Sequence, residues 1–130
     1  MADTIFSKII AREIPADIVF EDENVLAFLD INPIHKGHTL VIPKEEYRWF
    51  TDLPTELLEP LFSASQRIAR ALKKATGAEL IQLSIVGDEV PHTHIHLIPR
   101  FKGDTIHSGP TEKYEEGEAK EVAQKIRSLL

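Results

Sequence analysis

A chain of 130 residues is long enough for one domain with a real core, in the size class where about two thirds of the unfolded surface is buried. Its formal charge of -6 argues against nucleic acid as a partner, since that needs a basic face. With no cysteine there is no disulfide, no cysteine zinc site and no thiol nucleophile. The N-terminal stretch has neither a basic lead nor a long apolar run, and nothing approaches a membrane span, so a cytoplasmic protein with no membrane partner is expected.

Asp3 or Thr4 can cap a short helix carrying Ile5, Phe6, Ile9 and Ile10, which ends before the Ile14-Pro15 step. Apolar residues at that density mean core or the wall of a pocket. Residues 16–21 and 25–29 are β-rich runs joined by the charged Glu21-Asp22-Glu23-Asn24, which reads as a hairpin. Asp30 follows the second run directly, and an acid at a strand end is ordinarily a turn former. Gly37 leads into a strand over 38–43, in which His38, Leu40 and Ile42 share one face and Thr39 and Val41 the other.

From 51 to 76 the pattern is helical, with a stripe of Leu57, Leu61, Ile68 and Leu72 widened by Leu58, Phe62 and Ala69. Pro60 either stands in the first turn after a short lead-in or kinks a longer helix. Lys73, Lys74 and Gly77 suit its C-terminal end. A strand over 80–86 follows, and Gly87-Asp88-Glu89 reads as a short turn into an antiparallel neighbour over 90–100. Lys44 and Arg100 read as solvated charges. Residues 101–118, with His107 isolated among them, read as a surface segment. Ala119, Val122, Ala123, Ile126, Leu129 and Leu130 then recur at helical spacing, giving a helix that docks on the body or on a partner. There is no internal repeat and no separating linker, so 1–130 is one domain.

Three of the six histidines, His92, His94 and His96, alternate on the 90–100 strand and therefore share a face, opposite Thr93, Ile95 and Leu97. Such a strand packs one side on a core while the other lines a site. Alternate strand residues stand roughly 6.5 to 7 Å apart, so one ring reacts and two assist. Two plainer readings compete. One is histidines with no chemistry. The other is zinc held by a His-x-His pair, with a further ligand from His38, Asp88 or Glu89. No complete ligand set stands beside the triad, so no metal and no cofactor are expected.

His92-Thr93-His94-Ile95-His96-Leu97-Ile98 resembles the His-φ-His-φ-His-φ-φ signature (φ, an apolar residue) of the histidine-triad (HIT) nucleotide hydrolases and transferases, with Thr93 a polar departure at one φ. Thr4-Ile5-Phe6-Ser7-Lys8-Ile9-Ile10, Glu13-Ile14-Pro15-Ala16, Ala27-Phe28-Leu29-Asp30-Ile31-Asn32-Pro33 and Gly37-His38-Thr39-Leu40-Val41-Ile42-Pro43-Lys44 are also similar to family segments, in the family's order. The resemblance covers about residues 3–102 and leaves 103–130 as a C-terminal segment. Its pattern is that of the nucleotide-binding, purine nucleoside phosphoramidase branch.

The resemblance implies an α+β fold: a five-stranded antiparallel sheet, one long helix, a short N-terminal helix and a C-terminal helix. It also implies a homodimer and a purine nucleotide substrate, AMP-containing. The reaction is cleavage at the α-phosphorus of nucleoside 5′-phosphoramidates or dinucleoside polyphosphates. His94 matches the nucleophile that forms a nucleotidyl-histidine intermediate. His96 and His92 match residues at the phosphate, with His96 assisting the leaving group. His38 matches the histidine that hydrogen-bonds the nucleophilic ring, and Asp30 the acid that binds the ribose hydroxyls. Ile5, Phe6, Ile9, Ile14, Phe28, Ile31 and Leu40 match positions that wall the base pocket.

The residue chemistry agrees. An imidazole attacks phosphorus without a metal if it is neutral and oriented, which a second histidine or a carbonyl on its other nitrogen provides. Neighbouring histidines that protonate then stabilise phosphate charge. The segment before the triad departs from the family pattern: Ser84 stands where many members carry Asn, and Gly87-Asp88 where they carry Gly-Gln. An anion at Asp88, with Glu89 beside it, thus replaces an amide donor among the substrate-binding residues. A zinc-dependent hydrolase and a nucleotide-binding module without turnover remain as other readings.

Overall fold

The charged step between the first two strands turns the chain through one side chain: Asp22 Oδ1 accepts the N–H groups of Asn24 and Val25, each at 2.8 Å. In the computed structural model, which describes residues 4–104 and 112–130, this turn joins β1 (Ile18–Glu21) to β2 (Val25–Leu29). β3 (Thr39–Pro43), β4 (Leu80–Ser84) and β5 (Ile95–Arg100) complete a five-stranded sheet in the order β1-β2-β3-β5-β4, with every neighbouring pair antiparallel. The helices are α1 (Ile5–Ile10), α2 (Thr55–Thr76) and α3 (Glu118–Ser128). This is the α+β architecture the sequence leads one to expect. His107 lies outside the described residues.

Alternation along the strands divides the core in two. Ala27, Leu29, Val41, Ile95 and Leu97 face Leu61, Ile68 and Leu72 of α2 and Ala123 and Ile126 of α3. Leu26, Phe28, Leu40 and Ile42 face the other way, onto Phe6 and Ile9 of α1. With 6 residues α1 is too short to hold itself. It is fixed by a capping box, in which Ser7 N–H donates to Thr4 Oγ1 at 3.0 Å and Thr4 N–H to Ser7 Oγ at 2.8 Å. Burial of Phe6 and Ile9 adds about 1.5 to 3 kcal/mol each. Among the described residues no helix is long and apolar enough to cross a membrane.

Several boundaries differ from expectation. The helical run breaks into a 3₁₀ turn at Phe50–Asp52 and α2, whose N-cap is Pro54; Pro60 lies inside the helix, where it has no N–H to give. The strand expected from residue 90 begins only at Ile95, so β4 and β5 are joined by a long connection and not by a tight turn at Gly87. The cause lies in hydrogen bonds made elsewhere: His92 N–H donates to Val90 O at 2.8 Å, and Thr93 gives both its N–H (2.6 Å) and its hydroxyl (2.7 Å) to Tyr47 O. Those groups are then unavailable to a strand ladder. Arg100 is no solvated charge either, being 5% exposed with Nε 3.1 Å from Asp104 Oδ2. Lys44 does sit at the surface, paired with Glu21 at 2.8 Å.

Candidate active site

His94 is placed by the irregular backbone just ahead of β5 and is buried. Its Nδ1 lies 2.8 Å from the carbonyl oxygen of His92. A carbonyl only accepts, so Nδ1 carries a proton, and in the neutral ring the lone pair is on Nε2. The ring of Phe6, delivered by α1, stands edge-on at 4.9 Å between centroids. The short helix therefore helps hold this imidazole as well as covering the sheet.

A second chain of donors fixes two more rings. Ile34 N–H donates to His38 Nδ1 at 3.2 Å, which leaves the proton of His38 on Nε2. That Nε2–H donates to His96 Nδ1 at 3.0 Å, so His96 carries its own proton on Nε2. The rings of His94 and His96 lie 4.8 Å apart between centroids. A lone pair on one imidazole and an N–H on the next are thus set side by side by main-chain groups. Burial first, then the neighbouring His94, pushes the pKa of both His38 and His96 down to about 4. His35 adds to this at His38 and His38 at His96, where Asp30 and Asp88 oppose it. Both rings are neutral near pH 7.

Two expectations are corrected. His38 does not bond the His94 ring but that of His96. The β3–β5 register sets Leu40 opposite His96, making His96 the diagonal neighbour of His38 while His94 is a further pair away. His92 does not reach the surface of the site: it is 0% exposed, and its Nε2–H donates to Pro43 O at 2.8 Å. Its Nδ1 has no hydrogen-bond partner. Burial lowers its pKa against the opposing pull of the Pro43 carbonyl. What His92 gives His94 is a backbone oxygen.

Asp30 is both a turn former and a site residue. Oδ1 accepts Asn32 N–H at 2.9 Å, while Oδ2 lies 3.8 Å from His38 Nε2. Burial raises its pKa, opposed by the Asn32 N–H and by His96 and His94. Among the described residues, Asp30, His38 and His96 form the group whose ligating atoms could share a metal, all within 4.8 Å of one another. This is not the His-x-His pair with Asp88 or Glu89. It fits an ion poorly, because a lone pair on His38 Nε2 requires a proton on Nδ1, facing the Ile34 N–H donor to donor.

Of the pocket residues, Phe6, Ile9, Phe28 and Leu40 are brought together in one buried cluster, and Ile14 packs against it. Val90 joins them, a residue the sequence reading left out. Ile5 and Ile31 do not join it, being 47% and 71% exposed. α1 turns Phe6 and Ile9 to the sheet, which rotates Ile5 outward, and Ile31 sits in the bend after β2. Ser84 is the register partner of His96. Asp88 and Glu89 are exposed on the connection, although the charge of Asp88 is felt at His96. The groups that sequence reasoning missed are the Ile34 N–H and the Tyr47 carbonyl, main-chain atoms that no residue type advertises.

Fold and site together define an α+β domain built around imidazoles oriented by main-chain and ring hydrogen bonds. Residues 11–103 match the HIT domain, and the chain belongs to the HIT family of nucleotide hydrolases and transferases. It is 47% identical to the HIT-like protein MJ0866 of Methanocaldococcus jannaschii, over 77% of this chain and 81% of that one. It is 41% identical to the adenosine 5′-monophosphoramidase HNT1 of Saccharomyces cerevisiae, over 76% of this chain and 63% of the other. The crystal structure of a HIT-like protein from Bartonella henselae superposes with a TM-score of 0.87 at 41% identity, covering 98% of this chain and 97% of that one.

Proposed function

We propose that the protein cleaves nucleoside 5′-phosphoramidates, with AMP as the nucleotide part, and acts on dinucleoside polyphosphates by the same route. The observation that carries this reading is the pair of fixed tautomers, an unprotonated Nε2 on His94 beside a protonated Nε2 on His96. His94 Nε2 attacks the α-phosphorus and the bond from phosphorus to the leaving nitrogen breaks. The leaving nitrogen, held by the hydrogen bond from His96 Nε2–H, departs with a proton drawn from solvent across that ring, so that His96 stays neutral. The imidazole of the nucleotidyl-histidine keeps Nδ1–H bonded to the His92 carbonyl, which stabilises the positive charge it acquires. Water then attacks phosphorus and releases a proton to solvent across His96, the phosphorus–Nε2 bond breaks, and the nucleotide leaves with His94 restored.

Asp30 is the acceptor for vicinal ribose hydroxyls, and the cluster of Phe6, Ile9, Phe28 and Leu40 is the apolar wall for the base. The similarity to the yeast adenosine 5′-monophosphoramidase supports the choice of an AMP phosphoramidate. A module that only binds nucleotide has no need of an oriented lone pair. The test is a rapid quench into alkaline denaturant, which spares the acid-labile phosphorus–imidazole bond, of a reaction with adenosine 5′-phosphoramidate, with and without prior chelation. The expected result is an adenylyl adduct on His94 and a rate that survives chelation. A full rate without any adduct, or a rate that follows metal content, overturns it.

The dimer is proposed on β4, an edge strand with Leu80 and Leu83 exposed, whose free ladder groups suit the same strand of a second copy. Leu83→Lys should halve the mass measured by light scattering; an unchanged mass, or a monomeric wild type, rules this interface out.

A further inference from the structure

The Ile34 N–H that fixes the His38 tautomer belongs to a turn over residues 33–37, and that turn is held from the far end of the chain. Glu112 N–H donates to Pro33 O at 3.2 Å, and Lys36 N–H returns a bond to Glu112 Oε1 at 2.6 Å. Gly37 N–H donates to the Tyr114 hydroxyl at 2.8 Å. Lys36 Nζ reaches Glu118 Oε2 at 3.0 Å, and His35 Nε2 pairs with Asp104 Oδ2 at 2.9 Å. Three consecutive residues of the turn, His35, Lys36 and Gly37, are therefore anchored to groups from beyond β5. Glu112, Tyr114 and Glu118 also lie beyond the stretch that matches the HIT domain, residues 11–103, so the domain does not account for them.

The anchors are built to hold. Tyr114 packs its ring against the α2–α3 side of the core, which aims the hydroxyl at the turn. Burial first, joined by the charges of Asp30, Glu118 and Asp17 and opposed by the Gly37 N–H, pushes that hydroxyl up to about 12, so it stays protonated. Gly37 has φ +104, and a Cβ there would stand 2.9 Å from the Leu72 side chain. Only glycine fits this arrangement of the backbone, and Tyr114 meets its N–H in it.

We propose that Tyr114 and Glu112 are positioning residues for the His38–His96 pair. They hold the turn so that Ile34 N–H faces His38 Nδ1, which keeps the proton of His38 on Nε2 and the donor of His96 on its outer nitrogen. This rests on the reaction proposed above for its kinetic consequence, though not for its structural one. A loosened turn lets His38 exchange tautomers, and His96 is then no longer held as a donor. Help to a leaving group matters in proportion to how poorly the group leaves. Loss of either anchor should therefore slow a phosphoramidate with an alkylamine leaving group about tenfold and one with an activated aryl leaving group less than about twofold.

The experiment uses the full chain labelled with ¹⁵N-histidine, as wild type, Tyr114→Phe, Glu112→Ala and Glu112→Gln. Long-range proton–nitrogen spectra of the free protein report which ring nitrogen of His38 carries the proton. Wild type and Glu112→Gln, which keeps an acceptor for Lys36 N–H, should show Nε2–H; Tyr114→Phe and Glu112→Ala should show a mixture. An unchanged His38 signature in both of the latter overturns the proposal, as do rate losses equal for the two leaving groups. The spectra need no turnover, so a protein that cleaves neither substrate yet shows the tautomer change keeps the positioning role and loses only the reaction. A protein that turns over without the tautomer change loses the positioning role alone.

Discussion

His94 Nδ1 lies 2.8 Å from the carbonyl oxygen of His92, so one triad histidine orients another through its backbone and not through its ring. That division separates the two residues experimentally. His94→Ala removes the attacking lone pair and should lower the rate by at least about 10⁴-fold, with AMP binding retained. His92→Ala leaves the orienting carbonyl in place and should stay within about tenfold of wild type in rate. It should instead cost about 1 to 3 kcal/mol of stability, because the Pro43 carbonyl loses its buried partner. Measured together by turnover and urea unfolding, equal rate losses would mean that the His92 ring does chemistry after all.

Asp30 divides its carboxylate between the Asn32 N–H and the space beside the histidines. Asp30→Asn keeps the turn acceptor while removing the charge. It should weaken AMP by about tenfold or more, the effect of a charge-assisted hydrogen bond of roughly 1.5 to 3 kcal/mol, and 2′-deoxy-AMP far less. Calorimetric titration of the two nucleotides decides it, and equal losses would return Asp30 to a turn residue only.

Protonation of the site should be readable as stability. His38 and His96 titrate at about 4 in the folded protein and at 6.5 when unperturbed. Between those values the unfolded chain binds protons that the folded chain does not, so stability falls as pH drops below about 6.5 and levels off past about 4. His92, also lowered, acts in the same sense. Asp30, raised by burial, acts oppositely: its contribution is present below 3.8 and is lost as pH rises through its folded value, offsetting part of the loss at the acid end. The urea midpoint should decline steadily from about pH 7 to about pH 5, with a shallower decline in His96→Gln. A flat midpoint in wild type would mean that the two rings are already charged when folded.

Period-two alternation and the i, i+3 pairing of Phe6 and Ile9 made most of the fold and both halves of the core legible in the sequence. The triad was legible as a set of histidines but not as an arrangement. Thr93 spends its donors on Tyr47, which takes His92 and His94 out of the strand, and nothing local to residues 90–100 announces a partner so far back in the chain. The His38–His96 bond depends on a cross-strand register, which no single segment encodes. The anchors from Glu112 and Tyr114 were invisible for the same reason, since their partners stand 76 and 77 residues earlier in the chain.

Asp88 stands where the family resemblance leads one to expect an amide, and its charge reaches the site even from an exposed position: it is among the groups that counter the depression of the His96 pKa. A carboxylate near bound phosphate repels it, and polyphosphates, carrying more charge, are repelled most. Asp88→Asn should therefore improve cleavage of dinucleoside polyphosphates about fivefold in kcat/KM, the scale of a partly screened repulsion of about 1 kcal/mol. A compact phosphoramidate should gain less, and the difference should shrink as salt is added. The same substitution withdraws a group that favours protonated His96, so a gain shared equally by both substrates would point to His96 and not to repulsion. Initial rates on a matched pair of substrates at low and high ionic strength separate these outcomes. An equal change for both, or none, at low ionic strength removes Asp88 as a selectivity device.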